Sequence, residues 1–190
     1  MSNQLKKNSS WTIIQRDSFD ISNIKKEILL YDTEWFLDTG RQDNAYTHKN
    51  TECYPILQSS YDWEPGNKAI IKKRYELKNT AAQEELSNIY KQLEYFYDGK
   101  IMRVEFIKMM SNTSIRKHVD GGSFLNFARR CHIPIITNEE ILFTVKDNTI
   151  NMKEGVCYEI NNVLPHSVSN PTNLNRVHLI IDILPNSMVK

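Results

Sequence analysis

Two histidines, one aspartate and one arginine are spaced along the chain as in a site for divalent iron. His118 and Asp120 are separated by one residue, and His166 follows 46 positions after Asp120. Arg176 stands ten positions after His166. Iron(II) held by two histidines and one carboxylate on one face keeps its other positions open for O₂ and a chelating cosubstrate. An arginine could fix the far carboxylate of a dicarboxylic acid. Taken alone, three such residues in this order also occur by chance.

Length, charge and cysteine usage indicate an ordinary globular protein. The 190 residues suffice for one domain with a sizeable core, so we expect a single domain over residues 1–190. The net charge of +1 predicts neither nucleic acid nor an acidic membrane as a partner. Three scattered cysteines without a CxxC motif are typical of free thiols in a reducing compartment. The polar N-terminus and the absence of a membrane-length apolar run complete the prediction of a cytoplasmic protein.

Residues 1–99 are expected to form a helical and irregular part. Asp20 is a candidate cap for a first helix, and the helical spacing of apolar residues continues from Ile21 to Tyr31. Thr80 and Gln83 have the spacing of a capping box for a second, longer helix. That helix is predicted to end at Asp98-Gly99, with the glycine in the left-handed turn.

The segment between the two predicted helices is irregular and rich in aromatic residues. Trp35, Tyr46 and Trp63 could line a substrate pocket or could seal the core. His48 has no feature that sets it apart from other loop residues.

After Gly99 the period of the apolar residues changes from helical to two. Met102, Val104 and Phe106 alternate with charged residues, as in a half-buried strand. Further strand-like runs follow at 131–137, 141–145, 148–152, 156–160, 166–169 and 177–184. Seven or eight short strands without intervening helices predict an antiparallel barrel or jelly roll. We therefore expect a mainly β protein with flanking helices, in which a cupin-like double-stranded β-helix over residues 100–185 is buttressed by residues 1–99.

This scaffold would bring the candidate metal ligands together. His118 and Asp120 are expected where a strand begins, so that both side chains leave the same face of extended backbone. His166 begins a later strand, which in a jelly roll is expected to face the first across the barrel mouth. His178 is out of phase with Val177 and Leu179 along the last strand, and the sequence does not decide which of the two faces is the lumen.

Five short motifs follow one another in the second half of the chain. They are Arg130-Cys-His-Ile-Pro-Ile-Ile-Thr-Asn138, Met152-Lys-Glu-Gly155, Tyr158-Glu-Ile-Asn161, His166-Ser-Val-Ser-Asn170 and Arg176-Val-His-Leu-Ile-Ile-Asp182. In this order they resemble the aspartyl/asparaginyl β-hydroxylase family of iron(II)- and 2-oxoglutarate-dependent oxygenases. That family includes peptide β-hydroxylases and bacterial hydroxylases of free proline. The resemblance covers residues 100–185 and is loose over residues 1–99.

The resemblance implies a role for each candidate residue. His118, Asp120 and His166 match the iron ligands of the family, and Arg176 matches the arginine that pairs with the far carboxylate of 2-oxoglutarate. Arg130 and His132 match residues that face the cosubstrate or an anionic part of the substrate, and for Arg130 both roles stay open.

The resemblance also implies the reaction. The enzyme would use Fe(II), 2-oxoglutarate and O₂ to hydroxylate a small-molecule amino acid or a residue of a peptide, with release of succinate and CO₂. Peptide-hydroxylating animal members have glycine where this chain has Asp120, which places the chain with the complete-triad members and the free-amino-acid hydroxylases. A carboxylate ligand also disfavours halogenation, which needs that coordination position for halide.

Two other functions are compatible with parts of the pattern. A non-catalytic cupin-like protein could hold a metal on the same three ligands, but it would have no need for Arg176. A zinc hydrolase could use them as well, but Arg176 and the Arg130-x-His132 motif would then have no role and no general base is adjacent.

Overall fold

The computed structural model describes residues 10–36, 38, 48–60, 63–64, 67–68, 70–122 and 124–189. The two α-helices are α1 (Ser22–Ile28) and α2 (Thr80–Tyr97). The strands are β1 (Ile13–Ser18), β2 (Thr51–Ser59), β3 (Ile71–Lys73), β4 (Gly99–Met109), β5 (Thr113–His118), β6 (Arg129–Ile136), β7 (Leu142–Val145), β8 (Asn148–Ile150), β9 (Val156–Ile160), β10 (His166–Asn170) and β11 (Arg176–Pro185). Short 3-10 helices span Thr33–Phe36, Phe124–Asn126 and Asn186–Met188.

The strands form two antiparallel sheets. The large sheet has the order β1-β9-β6-β11-β4-β2-β3, and the small sheet has the order β5-β10-β7-β8. Every strand pair is antiparallel. From β4 to β11 the chain alternates between the two sheets, with the β7–β8 hairpin within the small sheet, as in a double-stranded β-helix. The predicted fold class, a mainly β jelly roll with flanking helices, is confirmed.

The large sheet has one face toward the helices and one face toward the small sheet, and β11 displays both. Val177, Leu179 and Ile181 share a buried cluster with apolar residues of α1 and α2. Arg176 and His178, which alternate with these apolar residues, are also buried, but they lie on the opposite face of the strand. Polar groups therefore occupy the interior between the two sheets.

The predicted half-buried strand after Gly99 is wrong in one respect. In β4, Arg103 is 7% and Glu105 is 6% exposed, so the charged alternation faces the interior and not solvent. Arg103 forms ion pairs with both Glu105 and Asp182, and these pairs offset the cost of burying the charges. A period of two identifies the strand, but it does not tell whether its polar face meets water or an internal site.

The side chains that cap the N-termini of the two helices are not the ones predicted. The carboxylate of Asp20 accepts from the backbone N–H and the hydroxyl of Ser22, at 3.0 and 2.7 Å, while Glu85 of α2 accepts from the backbone N–H of Asn23 and Ile24. Helix α2 is capped by Asn79, whose side chain accepts from Ala81 and Ala82.

The end of α2 also differs from the expectation. Asp98, and not Gly99, adopts the left-handed conformation, with φ of 41°. Gly99 instead begins β4, where a Cβ atom would lie 2.6 Å from the carbonyl oxygen of Leu184. Glycine is therefore needed at position 99 because β4 approaches β11 closely there, and not because the chain turns.

The N-terminal part contributes strands as well as helices. β1 pairs with β9, and β2 pairs with β4, so both belong to the large sheet. Trp35 and Trp63 are buried in apolar clusters, as expected for residues that seal the core. Tyr46 lies outside the described residues. The assignment of residues 1–190 to one domain stays a prediction. Of the helices that the structure describes, none has both the length and the apolarity to cross a membrane.

Candidate active site

The two candidate histidine ligands lie side by side on neighbouring strands. His118 is the last residue of β5, whereas a strand was expected to begin there, and His166 is the first residue of β10. The two residues are direct partners in the antiparallel register, and their ring centroids are 4.3 Å apart. They are therefore cross-strand neighbours in the small sheet, and the expectation that they face each other across the barrel mouth is wrong.

Asp120 completes the cluster from the loop after β5. Its backbone N–H donates to the carbonyl of Asn162, which holds the loop against the turn that precedes β10. Its carboxylate oxygens lie 3.7 Å from Nε2 of His118 and 3.5 Å from Nε2 of His166. One ligand atom from each of the three residues lies within 4.8 Å of the others. Two imidazoles and one carboxylate at this spacing suit an iron(II) ion with open positions.

The tautomers of both histidines are set by backbone carbonyls. Nδ1 of His118 contacts the carbonyl of Arg116 at 2.8 Å, and Nδ1 of His166 contacts that of Leu164 at 2.9 Å. Because a carbonyl only accepts, Nδ1 carries the proton, and in the neutral imidazole this leaves the lone pair on Nε2. Burial lowers the pKa of His166, which favours the neutral form that a metal requires.

A buried chain of ion pairs stands behind Asp120. Arg130 donates from Nη1 to Asp120, and from Nε and Nη2 to the two carboxylate oxygens of Asp182 at 2.8 and 3.1 Å. Asp182 also accepts from Nε of Arg103 at 2.8 Å. Burial alone would lower the pKa of Arg130, but Asp120 and Asp182 outweigh it and raise that pKa. The guanidinium therefore stays charged and fixes the orientation of Asp120.

Arg176 stands in a different electrostatic environment. It is 3% exposed, and burial lowers its pKa to about 9. Within the described part of the chain its guanidinium meets no carboxylate; Nη2 contacts Nδ1 of His178 at 2.7 Å, and the ring of Phe143 lies 5.9 Å from its central carbon. A buried cation without a counter-charge is unfavourable in a protein, and an anionic ligand would relieve that cost.

His132 lies between Arg176 and the ion-pair chain. Its ring centroid is 5.2 Å from that of Phe143 and 5.8 Å from that of His178. Burial, followed by the charges of Arg130 and Arg176, lowers its pKa well below the usual value, so the imidazole is neutral. Both of its ring nitrogens are buried without a hydrogen-bond partner among the described residues. They are available to a polar ligand.

One cavity connects all six predicted site residues. It is lined by His48, Ile107, Ile115, His118, Asp120, Arg130, His132, Phe143, His166, Val168, Arg176 and Ile180. The small sheet and the loop after β5 supply the metal-ligand candidates, while the large sheet supplies the candidates for cosubstrate binding. Apolar side chains of both sheets complete the wall.

Sequence reasoning did not anticipate three contributors to this region. His48 lies with its ring centroid 5.1 Å from that of His118 and lines the cavity, although its loop position gave no signal. Asp182 and His178 stand at even spacings from Arg176 on β11, and this spacing places them on the face that carries Arg176. That signal was present in the sequence.

A jelly roll that brings two imidazoles and a carboxylate together beside a buried arginine has the arrangement of an iron(II)- and 2-oxoglutarate-dependent oxygenase. The model of the aspartyl/asparaginyl beta-hydroxylase family matches residues 20–185, and the chain belongs to that family. The match includes most of the N-terminal part, where the sequence resemblance is loose. The predicted enzyme class, a dioxygenase that uses Fe(II), 2-oxoglutarate and O₂, is confirmed.

Solved structures share the fold at low sequence identity. HygX from Streptomyces hygroscopicus, with nickel and 2-oxoglutarate bound, is 11% identical with a TM-score of 0.60, covering 98% of this chain and 87% of that one. The viral collagen prolyl hydroxylase vCPH from Paramecium Bursaria Chlorella virus-1, in complex with 2-oxoglutarate, is 12% identical with a TM-score of 0.54, covering 92% and 96%. AviO1 from Streptomyces viridochromogenes is 9% identical with a TM-score of 0.54, covering 94% and 92%. No curated protein sequence matches the chain significantly.

Proposed function

We propose that this chain hydroxylates an amino acid, either free or as a residue of a peptide, and that His118, Asp120 and His166 hold its iron(II). The observation that carries the proposal is the cluster of three ligand atoms within 4.8 Å of one another, in which both histidines place Nδ1 on a backbone carbonyl and direct Nε2 toward Asp120. The family supports hydroxylation as the reaction and an amino acid side chain or free amino acid as the substrate.

The cosubstrate residues would act from the large sheet. We assign Arg176 to the far carboxylate of 2-oxoglutarate, because it is the buried cation that meets no carboxylate within the described residues. His132, with two unpartnered ring nitrogens, is assigned to the carboxylate or keto end of the same molecule. Arg130 donates hydrogen bonds to Asp120 and Asp182, which supports a role in orienting the metal ligand. Its position in the cavity wall keeps direct cosubstrate contact within reach.

The protein supplies position and a dry environment for the reaction. When bound, iron(II) and 2-oxoglutarate supply the chemistry that consumes O₂ and converts a substrate C–H bond to C–OH, with 2-oxoglutarate becoming succinate and CO₂. Arg176 and the ligand cluster would set the two ends of the cosubstrate. Ile115, Phe143 and Val168 line the cavity with apolar surface that excludes water from the reacting atoms. No acid–base residue is required.

Anaerobic titration with iron(II), with and without 2-oxoglutarate, tests the metal and cosubstrate sites. The wild-type protein is expected to develop the visible charge-transfer band of the iron–2-oxoglutarate chelate. The band is expected to vanish in His166→Ala and to weaken in Arg176→Ala, while Lys117→Ala, which removes an exposed charge near the site, keeps it. A wild-type protein without the band would contradict the proposal.

A second experiment addresses the substrate. Succinate release is measured with free amino acids, including proline, and with the same residues inside short blocked peptides. Stimulation by one set, with a product heavier by one oxygen atom, would assign the enzyme to free or peptide-bound substrates. Binding of iron(II) and 2-oxoglutarate without coupling to either set would contradict an amino acid, free or in a peptide, as the substrate.

A further inference from the structure

The guanidinium of Arg176 is held by a second residue of its own strand. Nη2 of Arg176 lies 2.7 Å from Nδ1 of His178, two positions further along β11, where side chains return to the same face. His178 is 1% exposed. Among the residues with described placement, this imidazole provides the one hydrogen bond made by the guanidinium.

The chemistry of the pair fixes the tautomer of His178. A guanidinium has donors only, so Nδ1 of His178 must accept, and the proton of the neutral ring is on Nε2. Burial, followed by the charge of Arg176, lowers the pKa of His178 well below the usual value. The ring is thus neutral beside the cation, which avoids two buried like charges in contact.

The contact with His178 also restricts the orientation of the other N–H donors of Arg176. A long arginine side chain loses much rotamer freedom when it is ordered, and a ligand that must order it binds more weakly. Here one Nη2 hydrogen is tied to His178 and the guanidinium lies near the ring of Phe143. The Nε and Nη1 donors are therefore oriented before a ligand arrives.

We propose that His178 is a positioning residue of the cosubstrate site, whose Nδ1 holds Arg176 in the orientation that receives the far carboxylate of 2-oxoglutarate. The inference rests on the proposed function, since it takes Arg176 as the partner of that carboxylate. A residue that only fills space at position 178 would need no acceptor atom. The two roles differ in what a substitution does to ligands with and without a far carboxylate.

The test compares two substitutions and two ligands. His178→Leu removes the acceptor at similar volume, whereas His178→Asn places an amide oxygen near the position of Nδ1. The ligands are 2-oxoglutarate and oxalate, which chelates the metal but has no far carboxylate, and calorimetry measures each dissociation constant on the protein loaded with Mn(II). We expect His178→Leu to weaken 2-oxoglutarate at least about tenfold, as for loss of a hydrogen bond to a charged group. Oxalate and Mn(II) affinities should stay unchanged, and His178→Asn should recover most of the loss.

The outcomes separate the positioning role of His178 from the proposed function. Equal 2-oxoglutarate affinity in wild type and His178→Leu overturns the positioning role, and so does equal weakening of oxalate. Failure of His178→Asn to recover binding also overturns it, because the acceptor atom would then be irrelevant. A wild-type protein that binds neither Mn(II) nor 2-oxoglutarate contradicts the proposed function instead. Where His178→Leu does not fold, His178→Met serves as the variant without an acceptor.

Discussion

The candidate metal ligands are oriented by hydrogen bonds to neighbouring groups of the protein. The two histidines of the cluster have Nδ1 on backbone carbonyls, and Asp120 is held by Arg130. Such partners orient metal ligands, and their loss typically lowers metal affinity by about 10- to 100-fold. Arg176 differs from them, because its charge is not balanced by a carboxylate among the described residues. At the residue scale, the candidate metal ligands are held by partners of their own, whereas the charge of Arg176 is available to an anionic ligand.

Arg130 should control metal affinity through Asp120. Arg130→Lys keeps the charge, but a single ammonium cannot bridge Asp120 and both oxygens of Asp182. We expect metal affinity to fall by about 10- to 100-fold, the usual effect of losing a partner of a metal ligand. Titration with Mn(II) measures the change. Arg129→Lys is the matched control, since Arg129 pairs with Glu159 away from the cluster. Equal affinities in wild type and Arg130→Lys would show that Asp120 is oriented by other groups.

Arg176 should lower the stability of the ligand-free protein. Because its buried charge is uncompensated among the described residues, Arg176→Met is expected to keep or raise the free energy of unfolding, by up to about 1 kcal/mol, despite the lost contact with His178. The stabilisation that 2-oxoglutarate gives to the Mn(II)-loaded protein should disappear. Urea unfolding with and without ligand measures both effects.

Arg103 provides the contrast for that experiment. It is also buried, but Asp182 accepts from its Nε at 2.8 Å, so Arg103→Met would leave Asp182 with one cation fewer. Breaking a buried ion pair by removal of one partner costs about 3–5 kcal/mol. If Arg176→Met destabilises the protein as much as Arg103→Met does, the guanidinium of Arg176 is already balanced, and its assignment to the cosubstrate loses its physical basis.

At the scale of elements, the short helix α1 depends on the longer helix α2 for its N-terminus. Glu85 accepts from the backbone N–H groups of Asn23 and Ile24, at 3.0 and 2.9 Å, and from the side chain of Asn23. A helix of seven residues is unstable alone, so a carboxylate from a packed neighbour is an effective cap. This tie fixes the layer of helices against the large sheet.

Glu85→Ala should therefore lower the free energy of unfolding by about 1–2 kcal/mol, as for loss of a helix cap. The neighbouring Glu84→Ala, at an exposed position, should change it by less than about 0.5 kcal/mol. Chemical unfolding of both variants gives the comparison. Similar values for the two would mean that the N–H groups of α1 are satisfied by water when Glu85 is absent.

Local sequence patterns predicted the positions of helices and strands better than they predicted which side chains are buried and what they contact. Strand β9 occupies the predicted residues, and both helices are present, because periodicity and turn residues act over short distances. The cap from Glu85 lies 61 residues from Ile24 and has no local signature. The alternation in β4 predicts a solvent-facing side, because arginine and glutamate are usually exposed, but the pairing of β4 with β11 brings Asp182 to Arg103 in the interior. Long-range ion pairs explain these differences.

At the scale of the whole molecule, the site lies between the two sheets and draws on both. The jelly-roll class follows from many short strands without crossover helices, and the sequence motifs identified the candidate residues. The sequence did not reveal that His118 and His166 are cross-strand partners in the small sheet, whereas Arg130, His132 and Arg176 belong to the large sheet. Strand order depends on which distant segments pair, and no local pattern encodes it.

This division predicts how ligands should affect the two sheets. Mn(II) alone, or with oxalate, would join His118, Asp120 and His166, all on the small sheet or its adjoining loop. 2-Oxoglutarate would in addition reach Arg176 at the start of β11 and so connect the small sheet to the large one. Hydrogen exchange in peptides covering β5, β10 and the first residues of β11 can separate these effects.

We expect Mn(II) with oxalate to slow exchange in β5 and β10 and to leave the start of β11 unchanged. Mn(II) with 2-oxoglutarate should slow exchange in all three, because local opening of β11 would then require release of the far carboxylate. The Arg176→Met variant is the control: with 2-oxoglutarate its pattern should be that of oxalate. Protection of β11 by oxalate in the wild type would mean that metal binding alone joins the sheets, through Asp120 and Arg130, and that the far carboxylate adds nothing to the connection.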